Sequence, residues 1–201
     1  MRHFSEPALR NRAPILEVLK RHVQPSDHLL EIASGTGQHA VWLTPRLGIS
    51  WQPSDVDAAS RESVDAWREA DYREPQGADG ARGGTLWHAI ALDVRAPGDH
   101  VADVIFNANM IHITPWSVAL GLFDLVMGVT PRVFVLYGPF RRGGTMVASN
   151  EAFDASLKAR DPSFGIRDLE TVIEEMSTRG YTVAEIVEMP ANNLSVVFNL
   201  S

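Results

Sequence analysis

The segment Glu31-Ile32-Ala33-Ser34-Gly35-Thr36-Gly37 has the residue types of a ligand-binding turn. Small residues join the end of an apolar run to the start of a helix, and such a turn lets backbone N–H groups come close to a ligand. Asp55 follows Gly35 by twenty residues, where a carboxylate at a strand end can accept both hydroxyls of a ribose. Together they describe a site for an adenosine-containing molecule. Two ligands fit. One is S-adenosylmethionine. The other is NAD, because Gly35-Thr36-Gly37-Gln38-His39-Ala40 also satisfies the dinucleotide pattern G-x-G-x-x-G/A.

Such a site needs strands to aim the turn and a sheet edge to gather further groups. A leading helix is expected from Pro14, with Ile15, Leu16, Leu19 and Val23 at helical spacing until Pro25 stops the run. Leu29 to Ala33 reads as the first strand, with Ala40, Val41 and Leu43 on the helix after the turn. Ile49 to Ser54 reads as a second strand ending at Asp55, and Val56, Val64 and Trp67 follow on a helix. Residues Asp71 to Gly84 read as a surface loop that delays a third strand, Trp87 to Leu92. Val101 to Phe106 is a fourth apolar run. After the loop Asn107 to Pro115, Trp116, Leu120, Phe123 and Met127 share a helical face, and Arg132 to Tyr137 makes a fifth strand. The stripe Leu169, Val172, Ile173 and Met176 predicts a helix capped by Asp168 and stopped before Gly180.

Val183 to Val187 and Leu194 to Phe198 are the last strands. The turn between them is too short for a parallel crossover, so as neighbours they pair antiparallel. The whole pattern predicts one α/β domain over residues 1–201. Its fold is Rossmann-like: a doubly wound, mainly parallel seven-stranded sheet closed by a C-terminal antiparallel hairpin. This favours a methyltransferase over a dehydrogenase. A dehydrogenase of this design usually adds a catalytic domain or a Tyr-x-x-x-Lys pair, and Tyr72, Tyr137 and Tyr181 have no lysine four residues on.

Composition narrows the field. The 201 residues are 45% hydrophobic and 21% charged, as in an ordinary globular chain, and the formal charge of −7 offers no basic surface for nucleic acid. With no cysteine, disulfides and thiolate chemistry are excluded, and no clustered His or carboxylate pattern argues for a metal. The first six residues lack an apolar signal core, and no stretch reaches the roughly 20 apolar residues of a membrane helix. A cytoplasmic protein acting on a small molecule is expected. No feature speaks to oligomeric state.

The chain resembles, over nearly its whole length, an uncharacterised family of methyltransferase-like proteins catalogued as a domain of unknown function. The resemblance rests on Arg10-Asn11 with Pro14-Ile15-Leu16-Glu17-Val18-Leu19, on Leu30 to Ala40, and on Trp51-Gln52-Pro53-Ser54-Asp55. It continues through Asn109 to Ile113, Tyr137-Gly138-Pro139-Phe140, Ser149-Asn150, Gly165-Ile166-Arg167-Asp168 and Met189 to Asn193. It implies a class I methyltransferase fold with S-adenosylmethionine as cofactor, and it supplies no substrate. Ala33 departs from the general pattern by standing where the first glycine usually does. Carried onto this chain, Glu31 and the turn Ala33 to Gly37 hold the methionine part, with His39 alongside. Asp55 takes the ribose, and Asp93-Val94 after the third strand takes the adenine. Asp93 could instead cap the next turn. Arg10 or Asn11 binds the cofactor carboxylate or makes a helix-entry hydrogen bond.

Methyl transfer from a sulfonium is an in-line displacement, so alignment matters first and a base only where the nucleophile carries a proton. Asn109 and His112 follow the fourth strand at the carboxyl edge of the sheet, where a substrate would meet the sulfonium. His112 is the candidate base, and Tyr137, at the end of the fifth strand, is a further catalytic candidate. Arg141, Asn150, Arg167 and the Asn192-Asn193 pair are candidate substrate contacts, the arginines suiting a carboxylate or phosphate. An ion pair from Arg167 to Asp168 or Glu170, and turn roles for the asparagines, are the structural alternatives. Trp116, after Pro115, is the tryptophan placed nearest a substrate. A scaffold that binds the cofactor without turnover, and an NAD-linked oxidoreductase, are the competing functions.

Overall fold

The computed structural model describes residues 1–73 and 84–201. The part of the expected loop before Gly84 that covers residues 74–83 lies outside them. The first strand, β1 (His28–Ile32), pairs in parallel with β2 (Ser50–Asp55) on one side and β4 (Val104–Ala108) on the other. The sheet extends from β2 to β3 (Ile90–Ala91), and from β4 to β5 (Val133–Arg141). It is completed by β8 (Asn193–Leu200) and β7 (Tyr181–Met189), both antiparallel, in the order β3-β2-β1-β4-β5-β8-β7. The order reverses between β1 and β4, and the carboxyl edge there is where ligands of open α/β sheets bind. This is the Rossmann-like fold of class I methyltransferases, with one addition. A two-residue strand, β6 (Arg167–Asp168), pairs with the end of β5 and makes the sheet eight-stranded rather than seven.

Strand alternation sends Leu30, Ile32, Phe134, Leu136, Val196 and Phe198 to one face, under α4 (Trp116–Val129) and α6 (Leu169–Thr178). Leu29, Val133, Val135, Tyr137 and Val197 go to the other, under α1 (Glu6–His22) and α2 (Gln38–Leu47). Helix α3 (Ala58–Asp71) packs beside α2. Among the described residues no helix is long and apolar enough to cross a membrane.

Three further elements differ from the sequence expectation. Helix α1 begins eight residues before Pro14, because Ser5 caps it by accepting a hydrogen bond from the Ala8 N–H and Pro7 fills the first turn. Pro14 lies inside the helix and has no N–H to give the Arg10 carbonyl. The third strand shrinks to two residues. The Trp51 N–H bonds the Thr85 carbonyl, so the N–H two residues on would face the same neighbour, and there the chain has Pro53. The ladder is broken between the Trp51–Leu86 bridge and the Ser54–Ile90 pair, and the Gln52 amide spans the gap to the His88 carbonyl at 2.7 Å. The third difference is α5 (Ala148–Arg160), which the sequence pattern does not announce: its buried residues are Asn150, Asp154 and Leu157, only one of them apolar. At α6 the boundaries agree with expectation. Asp168 occupies the cap position, without a side-chain cap bond, and Gly180 follows the helix at φ +86°.

Candidate functional site

The glycine turn leaves β1 through three left-handed residues, Ala33 (φ +57°), Gly35 (φ +55°) and Gly37 (φ +87°). Alanine is strained in this region by about 1 kcal/mol or more, so Ala33 holds at some cost the conformation that glycine adopts freely. Gly37 is required on two counts, since a Cβ there would lie 2.6 Å from the Val64 Cα. A Cβ on Gly35 would meet nothing within 4 Å, so the backbone above the turn is open to a ligand. The turn is tied to β2 by bonds from the Ser34 N–H to the Ser54 carbonyl (2.8 Å) and from the Gly35 N–H to Asp55 Oδ2 (2.9 Å). The second carboxylate oxygen of Asp55 accepts the Asp57 N–H at 2.9 Å. Asp55 is thus fixed at the end of β2 before any ligand arrives.

Asp55 and Gly35 line a cavity of about 510 Å³ whose other walls include Val56, Leu92, Val94 and Asp93. Apolar side chains there can sandwich a planar base while carboxylates collect its hydroxyl or amino hydrogens. Asp93 already makes a two-pronged pair with Arg95, at 2.9 and 2.6 Å. These hydrogen bonds hold its carboxyl down at about 2.

A second cavity, about 730 Å³, opens beyond the ends of β4 and β5. Ile113 lines both cavities, and consecutive residues Ala108 and Asn109 face one each. The second is walled by α1 (Arg10, Asn11), the β4 and β5 ends (Asn109, Tyr137), α5 (Asn150, Phe153, Arg160) and the β7–β8 turn (Asn192, Asn193). Asn11 organises its inner end. Its Oδ1 accepts from His39 Nε2 at 2.7 Å, and it shares the cavity wall with Tyr137. Burial raises the Tyr137 phenol above its ordinary value. The α5 wall is stitched to the turn by the Asn150 amide donating to the Asn192 carbonyl (3.1 Å) and the Asn192 amide donating to Ser149 Oγ (3.0 Å). Asn193 donates to the Pro190 carbonyl at 2.9 Å.

The structure therefore gathers Ala33, Gly35, Asp55, Asp93 and Val94 on one cavity, and Arg10, Asn11, Asn109, Tyr137, Asn150, Asn192 and Asn193 on the other. Other expected site residues face neither. Glu31 points to the α1–α2 side of the sheet, where Trp51 Nε1 donates to it at 3.0 Å; burial raises its carboxyl to about 7. Ser34 is buried there, while Thr36 bonds Gln38 and receives the Ser63 hydroxyl on its carbonyl. His39 is neutral, lowered to about 4 by burial and by the nearby Arg12.

His112 is wholly buried, pressed against Gly138 and edge-on to Phe140. Its Nδ1 accepts the Arg167 N–H at 3.3 Å, which leaves the proton on Nε2, a buried nitrogen with no hydrogen-bond partner among the described residues. Burial, assisted by Arg167, lowers it to about 3. No lone pair of this ring faces a cavity. Arg167 spends its guanidinium on the carbonyls of Ile111 (2.8 Å), Thr114 (2.6 Å) and Ser163 (2.9 Å), over the Trp116 ring. Trp116 itself packs against Phe123. Arg141 stands 3.8 Å from Asp168. These three hold the rim together and line neither cavity. Sequence reasoning missed Phe153 and Arg160. Their signal was the spacing Asn150, Phe153, Leu157, Arg160, one face of a helix.

Solved structures share this fold at low sequence identity. An O-methyltransferase family 2 protein from Planctomyces limnophilus, in complex with apigenin, superposes with a TM-score of 0.75 at 13% identity, over 96% of this chain and 58% of that one. Magnesium protoporphyrin IX methyltransferase from Synechocystis, with bound SAH, gives 0.69 at 12% identity, over 94% and 82%. CalO1, a methyltransferase of calicheamicin biosynthesis in its SAH-bound form, gives 0.68 at 13%, over 94% and 54%. The chain thus spans little more than half the length of two of these three. The family model described as "Protein of unknown function (DUF938)" matches residues 2–200, and the chain belongs to that family.

Proposed function

We propose that the protein is an S-adenosylmethionine-dependent methyltransferase acting on a small, polar molecule. One observation carries the reading: a carboxylate fixed at the end of β2, Asp55, faces a cavity beside an open glycine turn at the point where strand order reverses. Solved structures of the same fold with SAH bound support it. In this reading Asp55 receives the ribose hydroxyls, and Val56, Leu92 and Val94 enclose the adenine, with Asp93 at its edge. The backbone at Gly35 and the Arg10–Asn11 corner hold the amino-acid end. The bound cofactor supplies an electrophilic methyl on a sulfonium. Asn109 and Tyr137, at the junction of the two cavities, orient the acceptor on the line of displacement. His112 fixes the loop between them and moves no proton.

Calorimetric titration with S-adenosylmethionine, S-adenosylhomocysteine and NADH tests this. Binding of the two sulfur compounds alone is the expected result, and binding of NADH alone would replace the reading with an oxidoreductase. Binding without methyl transfer to any acceptor in a broad metabolite screen would favour a scaffold. Asp55→Ala is expected to weaken cofactor binding by about 1–3 kcal/mol. Unchanged affinity in a folded variant would remove the ribose role.

A further inference from the structure

The second cavity has an electrostatic character that the chain as a whole lacks. The protein carries a formal charge of −7, yet no Asp or Glu is among the described residues lining this cavity, and two arginines, Arg10 and Arg160, are. Among the described residues neither makes a hydrogen bond, ion pair or ring contact. Every other lysine and arginine among the described residues has at least one, whether to a carboxylate (Arg2, Lys20, Arg21, Arg95, Arg132, Arg141, Arg142, Lys158, Arg179), to a carbonyl (Arg46, Arg61, Arg68, Arg73, Arg167) or to an aromatic ring (Arg12). The two cations without a partner therefore line one cavity. They reach it from different elements, Arg10 from α1 beside Tyr137 and Arg160 from the last residue of α5.

The rest of the lining suits the same kind of guest. The asparagine amides and the Tyr137 hydroxyl add hydrogen-bonding groups, and Phe153, Ile113, Pro7 and Pro139 supply apolar contact. A guanidinium offers a planar fork of N–H donors that matches a carboxylate or a phosphate, and two cations facing one space without counter-charge repel each other until an anion enters.

We propose that the second cavity binds a methyl acceptor bearing an oxyanion, a carboxylate or a phosphate ester, on an apolar body, with Arg160 as the anchor of that anion. This rests on the methyltransferase reading only for the word acceptor. The anion site itself is built from residues outside the first cavity. Arg10, facing Tyr137 at the inner end, is left to the amino-acid end of the cofactor, so each arginine meets one negative charge.

The test is a titration of the full chain, with and without saturating S-adenosylhomocysteine, using benzoate, phenyl phosphate, benzamide and benzylamine as probes at millimolar concentration. Benzoate or phenyl phosphate is expected to bind, and which is tighter separates a carboxylate from a phosphate; benzamide and benzylamine are expected not to bind. Arg160→Gln is expected to weaken the bound anion about tenfold or more, with S-adenosylhomocysteine affinity and circular dichroism unchanged, and Arg160→Lys to restore part of it. Benzamide binding as well as benzoate, anion affinity indifferent to Arg160→Gln, or no anion binding to the folded protein would overturn the proposal. Failure of the methyltransferase reading looks different: S-adenosylhomocysteine does not bind, while the anion still does.

Discussion

The first cavity is framed by the backbone of strand ends and one glycine turn, held by bonds between segments about twenty residues apart, such as Gly35 N–H to Asp55. The second is walled by side chains from α1, β5, α5 and the β7–β8 turn, joined by bonds such as Asn150 to Asn192 across 42 residues. The first also presents carboxylates, with its one arginine among the described residues, Arg95, paired to Asp93, while the second presents unpaired arginines and amides. A site made of backbone and fixed carboxylates suits a ligand that stays the same. A site made of side chains on separate elements can change its guest by substitution without disturbing the sheet.

Variants can break or sharpen that contrast. The largest effect is expected at the turn. Gly37→Ala places a Cβ against the Val64 backbone at a left-handed residue and should cost about 3 kcal/mol or more in a urea titration. If it costs little, the first cavity is softer than its backbone frame implies.

Next comes a pH effect beneath the first cavity. Burial raises Glu31 from the ordinary 4.5 to about 7, so between those values the folded chain keeps a proton that the unfolded chain releases. The stability linked to this group is complete below about pH 4.5 and is lost as pH rises towards 7. Glu31→Gln, which keeps an acceptor for Trp51, should therefore gain about 2–3 kcal/mol on the parent between pH 4 and pH 8, read from unfolding midpoints at both. An unchanged difference would place Glu31 in contact with water.

The smallest effect is expected at the second cavity. Asn150→Ala removes the bond to the Asn192 carbonyl and should cost about 1 kcal/mol, with cofactor affinity intact. A loss as large as that of Gly37→Ala would mean that the two regions share one frame.

The same contrast explains what was legible in the sequence. The glycine turn, Asp55 and the alternation of strands and helices are local patterns, and each lies where its spacing places it. Pro53 shows the limit of that reading: it looks like any strand residue until the direction of its missing N–H against β3 is known. Helix α5 buries Asn150 and Asp154 beside Leu157, so it carries no apolar stripe, and with it the Arg160 wall was hidden. The partners of Arg167 and His112 were hidden for a related reason. Residue type suggests a substrate anchor and a base, while their actual partners, loop carbonyls and a backbone N–H, are set by tertiary contacts.

The place of β8 has a further consequence during synthesis. Residues 193–200 are not a fringe of the sheet but lie between β5 and β7, and Ser195 pairs with Tyr137. A nascent chain can assemble the parallel half, with the glycine turn and Asp55, while these residues are still inside the ribosome, and until they emerge β5 presents a bare edge. The two cavities therefore have different birthdays: the first can form before β8 has emerged, whereas the second waits for the β7–β8 turn to arrive.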